Sequence, residues 1–461
     1  MTIQPGTDSE LGHDITQVSV TATRQRHWPS RLTADSATLS CRLGGKRIWH
    51  VSSTALGGGV AELLWASIAH QQSLGLPAEW LVADAEAEFF QLTKRIHHGL
   101  HGNDSGGFDD SDAKLYRRVT RAIADRLIPG HIAPNDLVVL HDPQTVGAAP
   151  YLLERGIRVV WRCHIGTTGH GAVLSDTWEF LRPYVSELPL SVFTTEGFAP
   201  SYLPADRCRV IAPSIDPESE KNRDLTIEQC RELLGGIGLL ASSAPNSVVG
   251  RVIQDAPLPP NTPLITQVSR WDPLKDMTGV LRAFSEQIAP RSPAHLLLLG
   301  PDPADIPDDP EGAGVFAEVC LLRDTLPVCI RTRTHLAVLT LRDRLANALV
   351  VNAAQRYSTI VVQKSFAEGF GLTVTEAMWK ARPIVASAVG GILTQVTDGV
   401  DGLLVDPHDY VGFANSIMTL LDRHDRAAEL GSAARNTCAA RFLVDRELSD
   451  YVRLYNELLT L

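Results

Sequence analysis

From Arg47 onward the chain alternates short apolar runs with segments of helical spacing. RIWHVSST (47–54) has the length and apolar content of a strand, meets the turn Gly57-Gly58-Gly59, and is followed by VAELLWASIAHQQ, whose apolar residues recur at helical intervals. WLVAD (80–84), DLVVLHD (136–142), IRVVWRCHI (157–165) and LSVFTT (190–195) read as further strands. Helical segments separate most of them, which predicts a parallel sheet covered on both faces. Residues 1–40 show no clear period and are rich in Thr, Ser, Asp and Gln, so they read as a loosely ordered lead-in.

The alternation breaks at VIAPSIDPESEKN, where Pro213 and Pro217 interrupt it, and again in the Ser, Pro and Asn-rich stretch 241–263. An interdomain hinge is expected there, within about 213–263. Beyond it a second series runs PLITQVS, a helix over GVLRAFSEQI, HLLLLG, PVCIRT, TIVVQKS, the helix TVTEAMWKA, PIVASAV and GLLVD. The expected division is an N-terminal domain over 41–213 and a C-terminal domain over 214–440, both α/β and Rossmann-like. The tail 441–461 carries Val444, Leu448, Val452, Tyr455 and Leu459 at helical spacing, which predicts an amphipathic helix packed on a domain surface and crossing back to the N-terminal domain. Open α/β sheets bind ligands beyond the C-terminal ends of their strands, so the site is expected between the two domains.

A chain of 461 residues with 44% hydrophobic and 21% charged residues exceeds the usual single core. The formal net charge of −11 opposes the phosphate field of nucleic acid while leaving room for a local basic pocket on a small phosphate. Seven cysteines lie scattered without a CxxC pair, which reads as reduced thiols in a cytoplasmic protein rather than a disulfide framework. The polar, acidic start MTIQPGTDSELGHD does not resemble a signal peptide, and no apolar run is long enough for stable membrane insertion.

The chemistry concentrates in SFAEGFGLTVTEAMWKARP (365–383). Glu368 and Glu376 flank a glycine turn that opens a helix. Gly369 and Gly371 let backbone approach a ligand closely, and free N–H groups near Leu372 and Thr373 suit a diphosphate. Carboxylates there suit ribose and sugar hydroxyls.

This segment resembles the signature of the glycogen-synthase-like (group 1) retaining glycosyltransferases, and two more matches fall in the same order: ITQVSRWDPLKD and STALGGGVAE. The resemblance implies a GT-B fold. It assigns Arg270 and Lys275 to the donor diphosphate, Gly58 and Gly59 to a turn facing the donor, Glu368 to donor-sugar hydroxyls and Glu376 to the ribose, with Gly369, Phe370, Gly371, Leu372 and Thr373 around the nucleotide. From about His50 to the C-terminus the chain looks like the nucleotide-sugar-dependent trehalose synthases, with fungal-type trehalose phosphorylases more distant. HVSSTALGGGVAE, EFFQLTK, HDPQT, VVWRCHI, TWEFLRPYV, APSIDPESEKN, ITQVSRWDPLKD and EGFGLTVTEAMWK carry that likeness. It implies that Lys94, Asp142, Gln144, Arg162 and His164 line the acceptor side, with His164 near the reacting sugar. The synthases continue His-Ile with an aspartate, whereas here GTTGHGAVLSD follows, a longer glycine-rich loop; the segment APNSVVGRVIQDAPLPPN looks inserted beside the hinge.

The expected chemistry is hexosyl transfer from a nucleotide-diphosphate sugar to a small acceptor, with retention by front-side displacement. Arg270, Lys275 and the helix start at Gly371 stabilise the departing diphosphate. No DxD-like element stands out, so neither an essential metal nor a cofactor is expected. Trehalose formation from glucose is the leading reading. Three others stand beside it: transfer of an unusual sugar to a thiol or hydroxyl in secondary metabolism, trehalose phosphorolysis, and a non-catalytic nucleotide-sugar-binding protein. The expected partners are the donor and a small acceptor, with a homodimer allowed.

Overall fold

In a computed structural model that describes residues 14–20, 26–55, 58–241, 249–306 and 310–461, the apolar runs become two seven-stranded sheets, each in its own compact unit. Unit 1 comprises the chain up to Ser214 together with Val444–Leu461, and unit 2 comprises Ile215–Leu443.

The strands of unit 1 are β1 (Ile15–Val18), β2 (Ile48–Ser52), β3 (Ala78–Ala83), β4 (Leu137–His141), β5 (Arg158–Cys163), β6 (Leu190–Phe193) and β7 (Cys208–Val210). They lie in the order β1-β3-β2-β4-β5-β6-β7. All neighbours are parallel except β1, which pairs antiparallel with β3 at the edge. Helices cover both faces, so every residue of β2 and β4 is buried. The chain builds outward from β2 to β3 and then returns to place β4 on the other side, so the strand order reverses between β2 and β4. The helix Val444–Leu458 completes this unit, with Leu448, Val452 and Tyr455 buried among Leu39, Ile48 and Leu64.

Unit 2 holds β8 (Gly250–Ile253), β9 (Leu264–Val268), β10 (His295–Pro301), β11 (Thr334–Leu339), β12 (Ile360–Gln363), β13 (Ile384–Ser387) and β14 (Leu403–Val405), ordered β14-β13-β12-β9-β10-β11-β8. Only β8 runs antiparallel, on β11. Here the order reverses between β9 and β12.

The structure differs from the sequence reading in three places. Within the lead-in, Ile15–Val18 form an edge strand and Ser30–Leu43 a helix that buries Leu32, Leu39 and Leu43, because those three residues lie on one helical face that packs on the core. The chain passes from unit 1 to unit 2 between Ser214 and Ile215, and Gly250–Ile253 of the apparent insertion form β8 within unit 2. PVCIRT is not a strand: Pro327 starts the short helix Val328–Arg331, whose Val328 is 63% exposed, and the strand is the following THLAVL.

Candidate functional site

The switch point of unit 2 brings together the loops after β9 and β12, and two of the expected donor residues meet there. After β9, Asp272 accepts from the Leu274 N–H at 2.8 Å and starts the turn Pro273–Lys275. Asp276 follows at φ +44° and caps the next helix by accepting from the Gly279 N–H at 3.0 Å. That tight reversal aims Lys275 along the strand end. Its Nζ lies 2.8 Å from Glu368 Oε2, with both side chains mostly buried. Ser365 Oγ donates to the same carboxylate oxygen at 3.3 Å. Arg270 is placed differently: its side chain is 45% exposed and pairs with Asp272 at 3.0 Å.

A residue missed in the sequence holds the two loops in register. Lys364, fully buried at the end of β12, forms an ion pair with Asp276, donates to the Pro407 carbonyl at 2.8 Å and stands 3.9 Å from the centre of the Tyr410 ring. Gln267 reinforces the link, donating to the Lys275 carbonyl at 2.7 Å and accepting from the Lys364 N–H at 2.9 Å.

The glycine turn behaves as its composition demands. Gly371 takes φ +89° and precedes the helix Leu372–Trp379 with no side chain capping it, so the first-turn N–H groups at Leu372 and Thr373 have no side-chain acceptor from the cap residue. Phe370 is buried against Phe442, and Gly369 precedes it with its carbonyl facing Gly391. Two further glycines were not singled out from sequence. Gly390 has φ +46°, and a Cβ there would sit 1.8 Å from the Glu368 carbonyl oxygen; one at Gly391 would sit 2.4 Å from that of Gly369. The signal was legible, because Gly-Gly directly follows the strand sequence PIVASAV. Gly390→Ala is therefore expected to push the Glu368 backbone away, and a misplacement of about 1 Å costs on the order of a hundredfold in rate. Transfer rates near wild type in a folded Gly390→Ala protein would show that the turn does not position Glu368.

Glu376 is not an open first-turn carboxylate. It is the fifth residue of its helix, 2% exposed, and pairs with Lys221 at 3.1 Å. Lys221 comes from the segment APSIDPESEKN, whose fold is held by Asn222. Below it Lys380 is buried on Gln355 (2.8 Å) and Asn222 (3.1 Å), and burial lowers its pKa to about 7.

In unit 1 four of the five expected acceptor residues, Asp142, Gln144, Arg162 and His164, gather at the ends of β4 and β5. Asp142, at φ +60°, turns the chain out of β4, and its carboxylate accepts from the His164 N–H at 2.8 Å. Burial raises the Asp142 pKa to about 7, against the pull of that N–H and of Arg162. Arg162 is 1% exposed and reaches Thr194 at 3.5 Å. Its Nε and Nη1, together with Gln144 Oε1 and His164 Nδ1, are buried without hydrogen-bond partners among the described residues. Buried polar atoms are otherwise nearly always paired, so a cluster of four at strand ends marks a place where polar ligand atoms fit.

His164 is also the end of a row that the sequence did not reveal. Its Nε2 lies 3.0 Å from His141 Nδ1, and His141 Nε2 lies 3.0 Å from His50 Nδ1. The residues sit on the three adjacent strands or strand ends β2, β4 and β5, so only the sheet order brings them together.

Lys94 lies exposed on the helix Ala87–Leu100, Gly58 begins the helix Gly58–Ser73, and Gly59 is exposed on it; Gly57 lies outside the described residues. The glycine-rich loop is shorter than its sequence suggests. It spans Gly166–Gly171, because Ala172 already starts the helix Ala172–Val185. Gly166 is required where it stands, since a Cβ would meet the Phe198 ring at 2.5 Å.

The chain matches the family described as trehalose synthase, N-terminal domain, over residues 50–200, and glycosyl transferases group 1 over residues 347–437. It is 32% identical to a trehalose synthase of Pyrococcus horikoshii, over 90% of this chain and 91% of that one. It is 33% identical to a trehalose synthase of Rubrobacter xylanophilus, over 91% and 92%. A trehalose phosphorylase of Pleurotus pulmonarius is 26% identical, over 81% of this chain but 52% of its own length. Among solved structures, a UDP-forming trehalose-phosphate synthase of Burkholderia xenovorans in complex with glucose-6-phosphate superposes with TM-score 0.65 at 15% identity, over 90% of this chain and 100% of that one. The fold is GT-B.

Proposed function

Because the chain belongs to the trehalose synthase family of group 1 glycosyltransferases, we propose that this glycosyltransferase moves a glucosyl group from a nucleotide-diphosphate sugar to glucose, forming trehalose with retention. The observation that carries the reading is the meeting of Lys275 and Glu368, 2.8 Å apart at the switch point of unit 2 and beside the helix start at Gly371. In this reading Lys275, Arg270 and the first-turn N–H groups stabilise charge on the departing diphosphate, and Glu368 holds hydroxyls of the transferred sugar. The acceptor sugar sits against Asp142, Gln144, Arg162 and His164. Its hydroxyl attacks the anomeric carbon on the face the diphosphate leaves, and its proton passes to the leaving phosphate oxygen.

The test is a panel of nucleotide sugars differing in base, each offered with glucose and other small acceptors, with products identified by mass and anomeric NMR. An α,α-linked disaccharide of glucose supports the reading. A product with a thiol or a non-glucose hydroxyl would favour the secondary-metabolic alternative, which the loop Gly166–Gly171 beside His164 motivates. Glucose 1-phosphate formed from trehalose and phosphate would favour phosphorolysis.

Two expected outcomes bear on the parts. In this reading Glu376, now paired with Lys221, contacts the ribose when donor binds, and carboxylate hydrogen bonds of this kind contribute about 1.5–3 kcal/mol. Glu376→Gln is expected to weaken nucleoside-diphosphate affinity about tenfold, and unchanged affinity by calorimetry would refute the assignment. Cationic side chains and helix N–H groups act on the diphosphate, so activity should survive EDTA. Complete loss restored by magnesium or manganese would overturn that expectation.

A further inference from the structure

The histidine row does not stop at His50. The shortest contact of His50 Nε2 beyond the row is with the amide nitrogen of Gln71, at 3.2 Å, while the amide oxygen is at 3.5 Å. Tyr455 lies beside both: its hydroxyl donates to Gln71 Oε1 at 3.2 Å and stands 3.4 Å from His50 Nε2. Gln71 Nε2 also donates to Ser67 Oγ at 3.2 Å. All of these groups belong to unit 1, and His50, His141, Gln71 and Tyr455 are buried to within 1% of complete.

An amide nitrogen only donates. Two N–H groups pointed at each other across 3.2 Å would repel, so His50 Nε2 is the acceptor and its proton sits on Nδ1. That proton is then donated to His141 Nε2, which places the His141 proton on Nδ1. His141 in turn donates to His164 Nε2, and the His164 proton is left on Nδ1. With the Gln71 amide nitrogen nearer His50 Nε2 than its oxygen, this direction satisfies every contact in the row, and the opposite amide orientation would reverse it. The row ends at the His164 Nδ1 atom that is buried without a partner among the described residues. Burial disfavours the charged form of all three rings, so they stay neutral and each carries one proton.

We propose that Tyr455, Gln71, His50 and His141 are positioning residues that fix the tautomer of His164, so that its Nδ1–H donates to an oxygen of the bound sugar. The choice of sugar oxygen as ligand rests on the acceptor-site reading above; the direction of the row does not. A neutral imidazole so held donates without taking part in proton transfer, and it refuses a second donor at that place. Specificity for an oxygen acceptor is thereby set from the helices that cover this face of the sheet, through the rings of His50 and His141.

The experiment is ¹⁵N–¹H long-range NMR of the histidine side chains in the full chain, with Gln71→Met and Tyr455→Phe combined to remove both outer donors. In the wild-type protein His164 should show a protonated Nδ1 and a bare Nε2. In the double variant the row loses its direction, so His164 should populate both tautomers. The turnover number should then fall about tenfold while KM for the nucleotide sugar stays within about twofold. Wild-type His164 protonated on Nε2 would overturn the proposal, as would a folded double variant whose His164 keeps Nδ1–H alone. Should that variant fail to fold, Tyr455→Phe by itself frees the Gln71 amide to turn and carries the same two outcomes. A wild-type protein with the expected tautomer but no glycosyl transfer would remove the functional reading and leave the row standing.

Discussion

Lys275→Ala should lose about a hundredfold or more in single-turnover transfer, and Arg270→Ala roughly tenfold. A charge-assisted contact contributes about 1.5–3 kcal/mol, and each 1.36 kcal/mol is about tenfold in rate. The two differ because of where the structure puts them. Lys275 has a side chain 15% exposed and sits on Glu368, whereas Arg270 is 45% exposed and shares its charge with Asp272. Low solvent access strengthens the field of Lys275 on a developing charge, and solvent weakens that of Arg270. Removing Lys275 also leaves the Glu368 carboxylate, 12% exposed, without its cation. Lys275→Ala combined with Glu368→Gln should therefore lose less than the product of the single losses, because the two groups act as a unit. Lys275→Arg should rescue poorly, since a planar fork does not fit the place of a point charge between Glu368 and the Ala367 carbonyl. Rapid-quench single-turnover rates for wild type, Lys275→Ala, Glu368→Gln, their combination, Arg270→Ala and Lys275→Arg check this. A Lys275→Ala protein that transfers at the wild-type rate would remove the donor diphosphate from this loop.

What sequence could reveal followed from which interactions are local. SFAEGFGLTVTEAMWKA is read in one piece because glycine turn, carboxylate and helix start are neighbours in the chain, and ITQVSRWDPLKD announces itself by a basic residue just after a strand. The strands read correctly where the apolar run was continuous, as in HLLLLG and DLVVLHD, since both faces of those strands are covered. Lys364 was invisible for the opposite reason. Its ion pair with Asp276 spans 88 positions, and a lysine after an apolar strand looks solvated until the sheet order places β12 beside β9. His50, His141 and His164 are likewise 91 and 23 positions apart, and nothing in the chain between them indicates a row. The burial of Glu376 depended on Lys221, which lies in a segment that looked like a linker. Pairings made by topology are what one sequence conceals.

The same histidines make unit 1 acid-sensitive, and its stability should fall by several kcal/mol between pH 7 and pH 4.5. Burial lowers His50 from its ordinary 6.5 to about 4, and lowers His141 and His164 further below the usual range. For such groups the unfolded chain binds more protons than the folded one as pH drops below 6.5. Their contribution is present in full above pH 6.5 and is lost as pH falls through the folded value. For His50 alone the difference corresponds to about 3 kcal/mol. Asp142 works the other way. Its carboxyl is raised from 3.8 to about 7, so the folded state binds the extra proton and gains stability as pH falls across that range. One opposing carboxyl against three histidines leaves a net loss. Asp142→Asn removes the opposing group and should make the loss with falling pH steeper. Urea unfolding followed by tryptophan fluorescence at pH 7, 6, 5 and 4.5 measures both slopes, with Trp49, Trp80 and Trp161 buried in this unit as reporters. Stability that stays level or rises as pH drops from 6.5 to 4.5 would mean that the three rings are not held neutral. A slope unchanged by Asp142→Asn would mean that this carboxylate is already ionised at pH 5.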